Sequence, residues 1–294
     1  MPEPEAPSPP ISDLIERLHR FGTSTRPNID ESTGMLDLDG QRVLYVLMLP
    51  KERARRWGVV ACPSMFEFSR FQPTEITFLR RAAASGFSGI YLEPPGMGDS
   101  DGSPTACTME VRTTAALAAF SHLQDSSSHK HALVPCWFGA RLGAGVAMLA
   151  AEKHDGPGAL VAWDAVADGG TYWAQARRLA RISAVAQKQR SFKDPDKALE
   201  ESSEASFLWM PVTREIKQDL HRLDDLGRRR HVEGPAFVIA MNDEQLEQTK
   251  QRLVGAADEV YGESLGRGDL DHLGVAEAQA AIEPTLHWMS ERLV

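Results

Sequence analysis

The stretch Val134-Pro135-Cys136-Trp137-Phe138-Gly139-Ala140-Arg141-Leu142-Gly143-Ala144-Gly145 decides how the chain is read. An apolar run ends in glycine, a charged residue stands alone just beyond it, and glycine then returns. This is the G-x-S-x-G frame of a sharp strand-to-helix turn, with Arg141 where the serine normally stands. The turn forms only if helix and strand approach closely, so its flanks must be small. Gly139 and Gly143 meet that need, and Ala140, Ala144 and Gly145 extend it. The following residues, Val146 to Ala151, are apolar almost all round, as expected of a helix wedged against a parallel sheet.

Landmarks on either side reinforce this frame. Upstream, Gly58-Val59-Val60-Ala61-Cys62-Pro63 reads as a short buried strand running into a Cys-Pro-Ser loop. A helix is expected from Thr74 to Ser85, closed by Gly86, with Glu75 in its first turn and Arg80 and Arg81 near its end, as the helix dipole favours. The strand Gly89 to Glu93 then enters Pro94-Pro95-Gly96-Met97-Gly98-Asp99-Ser100, which resembles the D-x-P-G-x-G-x-S turn common in α/β-hydrolases, with Glu93 in place of its acid. Ile11 to Phe21 reads as an amphipathic helix and Gly34 to Leu49 as a hairpin turning at Asp39-Gly40. Val111 to Leu123 is a further helix. Ala159 to Asp164 and Pro235 to Met241 are further buried strands, and Ala276 to Leu293 is a final helix.

The expected fold class is therefore α/β: an α/β-hydrolase fold with a mostly parallel central sheet, helices on both faces and a helical cap. The expected organisation is a disordered tail over 1–10, a core over 11–168, a cap insertion over 169–233 and the rest of the core over 234–294. The insertion is far too long for a simple connection and is mostly charged and helical in pattern. Within it Phe207, Leu208, Trp209 and Met210 form an apolar knot, which either packs onto the core or lines a hydrophobic cleft.

Composition narrows the function classes. The 294 residues are 42% hydrophobic, ample for one large core, and the net charge of −9 argues against a general nucleic-acid binder. The Arg177-Arg178 and Arg228-Arg229-Arg230 clusters are short and read as solvated faces. No stretch approaches the roughly 20 apolar residues of a membrane span, and the acidic, proline-rich start lacks the pattern of a signal peptide. Cys62, Cys107 and Cys136 form no C-x-x-C pair or metal spacing, which points to the cytoplasm, without metal or other cofactor. The expected partner is a small-molecule substrate, with neither nucleic acid nor membrane; the oligomeric state is open, a homodimer being the assembly considered.

Within the superfamily, the chain resembles exosortase A system-associated hydrolase 2-like proteins over roughly residues 57 to 180. Their G-L-R-x-G-A elbow is matched by Gly139-Ala140-Arg141-Leu142-Gly143-Ala144. Their L-W-x-P-V-x-x-G-x-x-Y/H-L segment is matched by Val161 through Trp173. Their His-Pro-Phe loop is Cys62-Pro63-Ser64 here, and the last third matches only loosely. The resemblance implies the architecture and the arginine elbow and carries little about substrate.

A guanidinium stays protonated at neutral pH and is neither nucleophile nor base, so an ordinary serine acyl-enzyme is not expected. A cation at a helix start also requires a compensating anion. Two sources are open: an internal carboxylate, from Glu67, Glu93, Asp164 or Asp243, or a carboxylate or phosphate group of a ligand. On the second reading Arg141, Leu142, Ser64 and Cys62 bind an anionic substrate. Asp243, with Glu244 as its near alternative, stands where the acid is expected. His272 stands where the superfamily puts its histidine and would be a general base acting on water or a carbon acid. Hydrolase or lyase chemistry would follow. The other reading is a catalytically inactive binding or scaffold protein that keeps the frame.

Overall fold

The computed structural model describes residues 25–294, apart from 27, 128–131, 167, 187, 189–191, 208–209, 229–232, 254–259 and 266–274. The expected tail and the helix at Ile11 lie outside the described residues.

The described part of the chain opens with β1 (Thr25–Arg26), followed by the antiparallel pair β2 (Ile29–Leu38) and β3 (Gln41–Pro50). Asp39 and Gly40, both at positive φ, make their two-residue turn, because only that backbone twist matches the strands it joins. The core then alternates β4 (Trp57–Cys62), α1 (Phe68–Ala84), β5 (Ser88–Leu92), α2 (Met109–Ser126), β6 (Val134–Ala140), α3 (Leu142–Lys153) and β7 (Ala159–Trp163). After an insertion come β10 (Ala236–Ala240), α7 (Asp243–Leu253), β11 (Val260–Ser264), α8 (Val275–Ala280) and α9 (Ile282–Arg292). The strands form one sheet in the order β1-β2-β3-β5-β4-β6-β7-β10-β11, antiparallel through the β3–β5 pairing and parallel beyond it.

Every residue of β6 is buried, because a parallel sheet is covered on both faces. Consecutive side chains show the two layers. Trp137 meets Phe120 of α2, whereas Phe138 meets Phe78 of α1 with ring centroids 4.5 Å apart. Trp163 completes the α1 side, 4.7 Å from Phe138, and its indole N–H donates to Thr285 of α9.

Helix α1 begins at Phe68, earlier than expected: Pro73 lies inside it, although it removes one internal hydrogen bond. The final helix is divided at Ala281. The insertion holds α4 (Gly169–Ala186), α5 (Pro195–Glu201), β8 (Glu204–Phe207), β9 (Met210–Thr213) and α6 (Arg214–Asp219), then 3-10 turns over Leu220–Arg228. It is thus not helical throughout: β8 and β9 form an antiparallel ribbon. Of the expected apolar knot, Met210 is fully buried, while Leu208 and Trp209 lie outside the described residues.

Candidate active site around Arg141

Arg141 joins β6 to α3 with φ 55° and ψ −122°, a conformation that non-glycine residues rarely adopt. Its N–H donates to Trp163 O at 2.9 Å and its carbonyl accepts from Ala144 N at 3.1 Å, so both neighbouring elements hold the turn. The flanking glycines are obligatory on steric grounds. A Cβ on Gly143 would lie 2.0 Å from Cys62 O, and one on Gly139 would lie 2.2 Å from Gly143 C.

The side chain is buried, and each guanidinium nitrogen faces a different partner. Nη1 donates to Asp164 Oδ2 at 2.8 Å, Nη2 donates to Gln175 Oε1 at 2.6 Å, and Nε stands 3.5 Å from Glu67 Oε1. The Nε contact is a charge pair without hydrogen-bond alignment. Asp164 follows β7 directly and is itself at φ 46°, so both members of the shorter of the two Arg141 ion pairs are in strained backbone. Glu67 Oε2 accepts from Ser64 Oγ at 2.8 Å and from the Tyr172 hydroxyl at 2.6 Å. Tyr172 and Gln175, three apart on α4, therefore reach the same cluster from the insertion. Burial works against the Arg141 charge, but Asp164 and Glu67 outweigh it and hold the guanidinium pKa above its ordinary value. Burial, followed by Glu67, pushes the Tyr172 phenol well up, so it stays a donor.

Solved structures share the overall fold of the chain. The chain superposes on a soluble variant of monoglyceride lipase from Saccharomyces cerevisiae, solved with a substrate analogue, with TM-score 0.63 and 11% identity over 90% of this chain and 95% of that one. It superposes on α/β-hydrolase domain-containing protein 10 from mouse with TM-score 0.58 and 17% identity, over 88% and 97% of the two chains. With Est1E from Butyrivibrio proteoclasticus, solved with ferulic acid bound, the TM-score is 0.60 and the identity 14%, over 88% and 98%. This is the α/β-hydrolase fold. No family model and no curated protein matches the sequence.

In an α/β-hydrolase fold the ligand edge of the sheet is its carboxyl edge. There Arg141, Asp164, Thr171, Gln175, Ala240 and Gln245 border a polar cavity of about 390 Å³. A second, larger cavity of about 750 Å³ lies between the loop before α1 and the insertion, bordered by Phe66, Glu67, Arg70, Leu179, Ile182 and Phe192. Glu67 borders one cavity and Arg141 the other, so their ion pair stands between the two.

The other expected site residues are placed unevenly. Leu142 is fully buried at the start of α3. Ser64 is fully buried, with its hydroxyl committed to Glu67. Cys62 is buried at the end of β4; burial, with Glu75 adding to it, pushes its thiol well above the ordinary range, so it is not a ready nucleophile. Cys136 is held up to about 12 by burial alone. Asp243 is exposed in the first turn of α7, and its helix faces the polar cavity through Gln245 and Gln248 instead. His272 lies outside the described residues. Glu93, a proposed partner of Arg141, instead accepts from Gln72 Nε2 and from Asp99 N, both at 2.7 Å, and so organises its own glycine turn. Tyr172 and Gln175 were not anticipated as site residues; Tyr172 falls at the Y/H position of the segment that resembles the hydrolase 2-like proteins, and with Gln175 it forms a polar pair at helical spacing on the expected first cap helix. Among the described residues no group of three His, Cys, Asp or Glu is placed to hold a metal ion, and no helix is long and apolar enough to cross a membrane.

A buried carboxylate two turns into α1 modifies this picture. Glu75 is 1% exposed, neither of its oxygens has a hydrogen-bond partner among the described residues, and burial, with Glu67 adding to it, raises its pKa to about 8. Its folded value lies above the unfolded one, so its contribution to stability is complete below about pH 4.5 and is lost as pH rises to about 8. Glu75→Gln is expected to stabilise the protein at pH 7 by on the order of 3 kcal/mol. It should also flatten the decline in melting temperature between pH 5 and 8. A decline of unchanged steepness in the variant would contradict this.

Proposed function

We propose that the chain is a hydrolase-fold protein without a serine acyl-enzyme step, acting as a catalytically silent binding protein for a small molecule. One observation carries this reading: the apex guanidinium, which replaces the nucleophile, is occupied by Asp164, Gln175 and Glu67 from within the chain. Two carboxylates face one guanidinium, so the cluster has no positive charge left to attract an anion. The insertion acts as a cap, and the 750 Å³ cavity beneath it falls in the usual range for small-molecule sites. Phe66, Leu179, Ile182 and Phe192 give it apolar walls, whereas Glu67 and Arg70 supply polar contacts, which suits an amphipathic ligand. The closer affinity to exosortase A system-associated hydrolase 2-like proteins belongs to this proposal, as does a cytoplasmic setting, which the three free buried thiols favour.

The test is covalent labelling. A fluorophosphonate probe is expected to leave the intact mass of the protein unchanged, and p-nitrophenyl acyl esters are expected to give no burst. One phosphonyl adduct per chain, on any hydroxyl or thiol, would refute the reading.

The polar cavity bordered by Arg141 favours a second reading, in which an anionic substrate displaces Asp164 or Glu67 and His272, oriented by Asp243, acts as general base in hydrolase or lyase chemistry. It requires a small carboxylate or phosphate to raise the melting temperature of the native protein and to lose that effect in Arg141→Ala.

A further inference from the structure

Away from the Arg141 cluster, a second guanidinium is buried under different terms. Arg112, in the first turns of α2, is 2% exposed, and among the described residues no carboxylate comes within ion-pair distance of it. Its hydrogen bonds are two long ones to backbone carbonyls, Nε to Cys107 O and Nη1 to Pro63 O, each 3.4 Å. Among the described residues Nη2 has no hydrogen-bond partner. The acids at the start of α2 are engaged elsewhere, and Glu75 and Glu93, which together with Arg112 act on Tyr91, make no ion pair with the guanidinium. Asp219 accepts from the Met109 amide and pairs with Arg222, and Glu110 pairs with Lys153 and Arg222. The positive end of α2 adds to the unbalanced potential.

Arg112 also borders a small pocket formed by Cys62, Pro63, Leu92, Ala115 and Ala116, with about 10 Å³ of space for the centre of a water-sized sphere. That is room for one particle about the size of a water molecule. Its other walls are apolar apart from the Cys62 thiol, which stays protonated. A lone water would satisfy the Nη2 hydrogen without balancing the charge, whereas a buried cation without a counter-ion is strongly disfavoured.

We propose that this pocket is a binding site for one small monovalent anion, chloride in ordinary buffers, held by Arg112 between α2 and the end of β4. Polyatomic anions are too large for it. The ion would tie α2 to the Cys62-Pro63-Ser64 loop, and through Ser64 to Glu67, so its effect is on stability rather than on chemistry. The site is independent of the function proposed above.

The experiment compares melting in sodium chloride, sodium bromide and sodium gluconate at matched ionic strength, for the native protein and for Arg112→Met. At a hundredfold excess over Kd, chloride and bromide are expected to raise the native melting temperature by about 5 °C over gluconate. Arg112→Met is expected to show no difference among the salts. Crystals of the native protein grown in bromide provide a second readout that does not depend on the variant folding, with an anomalous peak expected beside Arg112. Equal melting in all three salts, a halide effect that persists in Arg112→Met, or a pocket holding only water in the bromide crystals would each overturn the proposal.

Discussion

Replacing Arg141 with methionine is expected to destabilise the protein by about 3–5 kcal/mol, the usual cost of breaking a buried ion pair by removing one partner. For a chain of this size the melting temperature should fall by roughly 10 °C. The loss arises less from contacts given up than from what remains: Glu67 and Asp164, each about 4–5% exposed at the side chain, keep their charge without a counter-ion. The deficit should therefore be pH-dependent. Uncompensated buried carboxylates have raised folded pKa values, so the variant should recover towards native stability as pH falls and lose more as it rises. Arg141→Lys should recover only part of the loss, since an ammonium lacks the planar fork that serves Asp164, Gln175 and Glu67 in three directions. Urea denaturation of the three proteins across pH tests these expectations. A variant as stable as the native chain at neutral pH would mean that the arginine is not the counter-ion of the cluster.

Gly143→Ala is expected to cost about 3 kcal/mol or more, at the upper end for overpacked sites. The added Cβ would meet backbone rather than a flexible side chain, 2.0 Å from Cys62 O and 3.2 Å from Ser64 N. Either α3 withdraws from β6 or the loop after β4 moves, and both changes disturb Ser64 and Glu67. Gly139→Ala should act similarly, and the double variant should cost less than the sum because the two sites share one close approach. Gly40→Ala is the control. It also has positive φ, but nothing lies within 4 Å of the added carbon, so only the conformational cost of about 1–2 kcal/mol remains. Chemical denaturation of these variants distinguishes crowding from strain. A Gly143→Ala loss no larger than that of Gly40→Ala would contradict the close packing of the elbow.

The parts of this architecture that sequence reveals are those with local causes. The glycines around Arg141, the Asp39-Gly40 turn and the fully apolar β4, β6 and β7 announce themselves because each requirement is met by adjacent residues. Elements governed by distant packing are less legible. The edge strand β11, Val260-Tyr261-Gly262-Glu263-Ser264, is half polar and among the described strands pairs with β10 alone, so its sequence lacks the apolar run of a central strand. The β8–β9 ribbon likewise escapes a reading of the insertion as helical.

The same division holds at the site. That Arg141 needs an anion follows from its position at a helix start, and Glu67 and Asp164 are two of four carboxylates in reach by chain topology. The choice among them depends on Ser64 and Tyr172 binding Glu67 and on the strained turn at Asp164, neither of which any local pattern signals.

The claim that the apex arginine is neutralised from within is tested most directly by a double-mutant cycle between Arg141→Met and Asp164→Asn, read as unfolding free energies at neutral pH. Residues that share a buried ion pair should show a coupling of about 2–3 kcal/mol, with the double variant more stable than the sum of the single losses allows. Additivity within about 0.5 kcal/mol would contradict the claim, leaving the guanidinium free for a ligand.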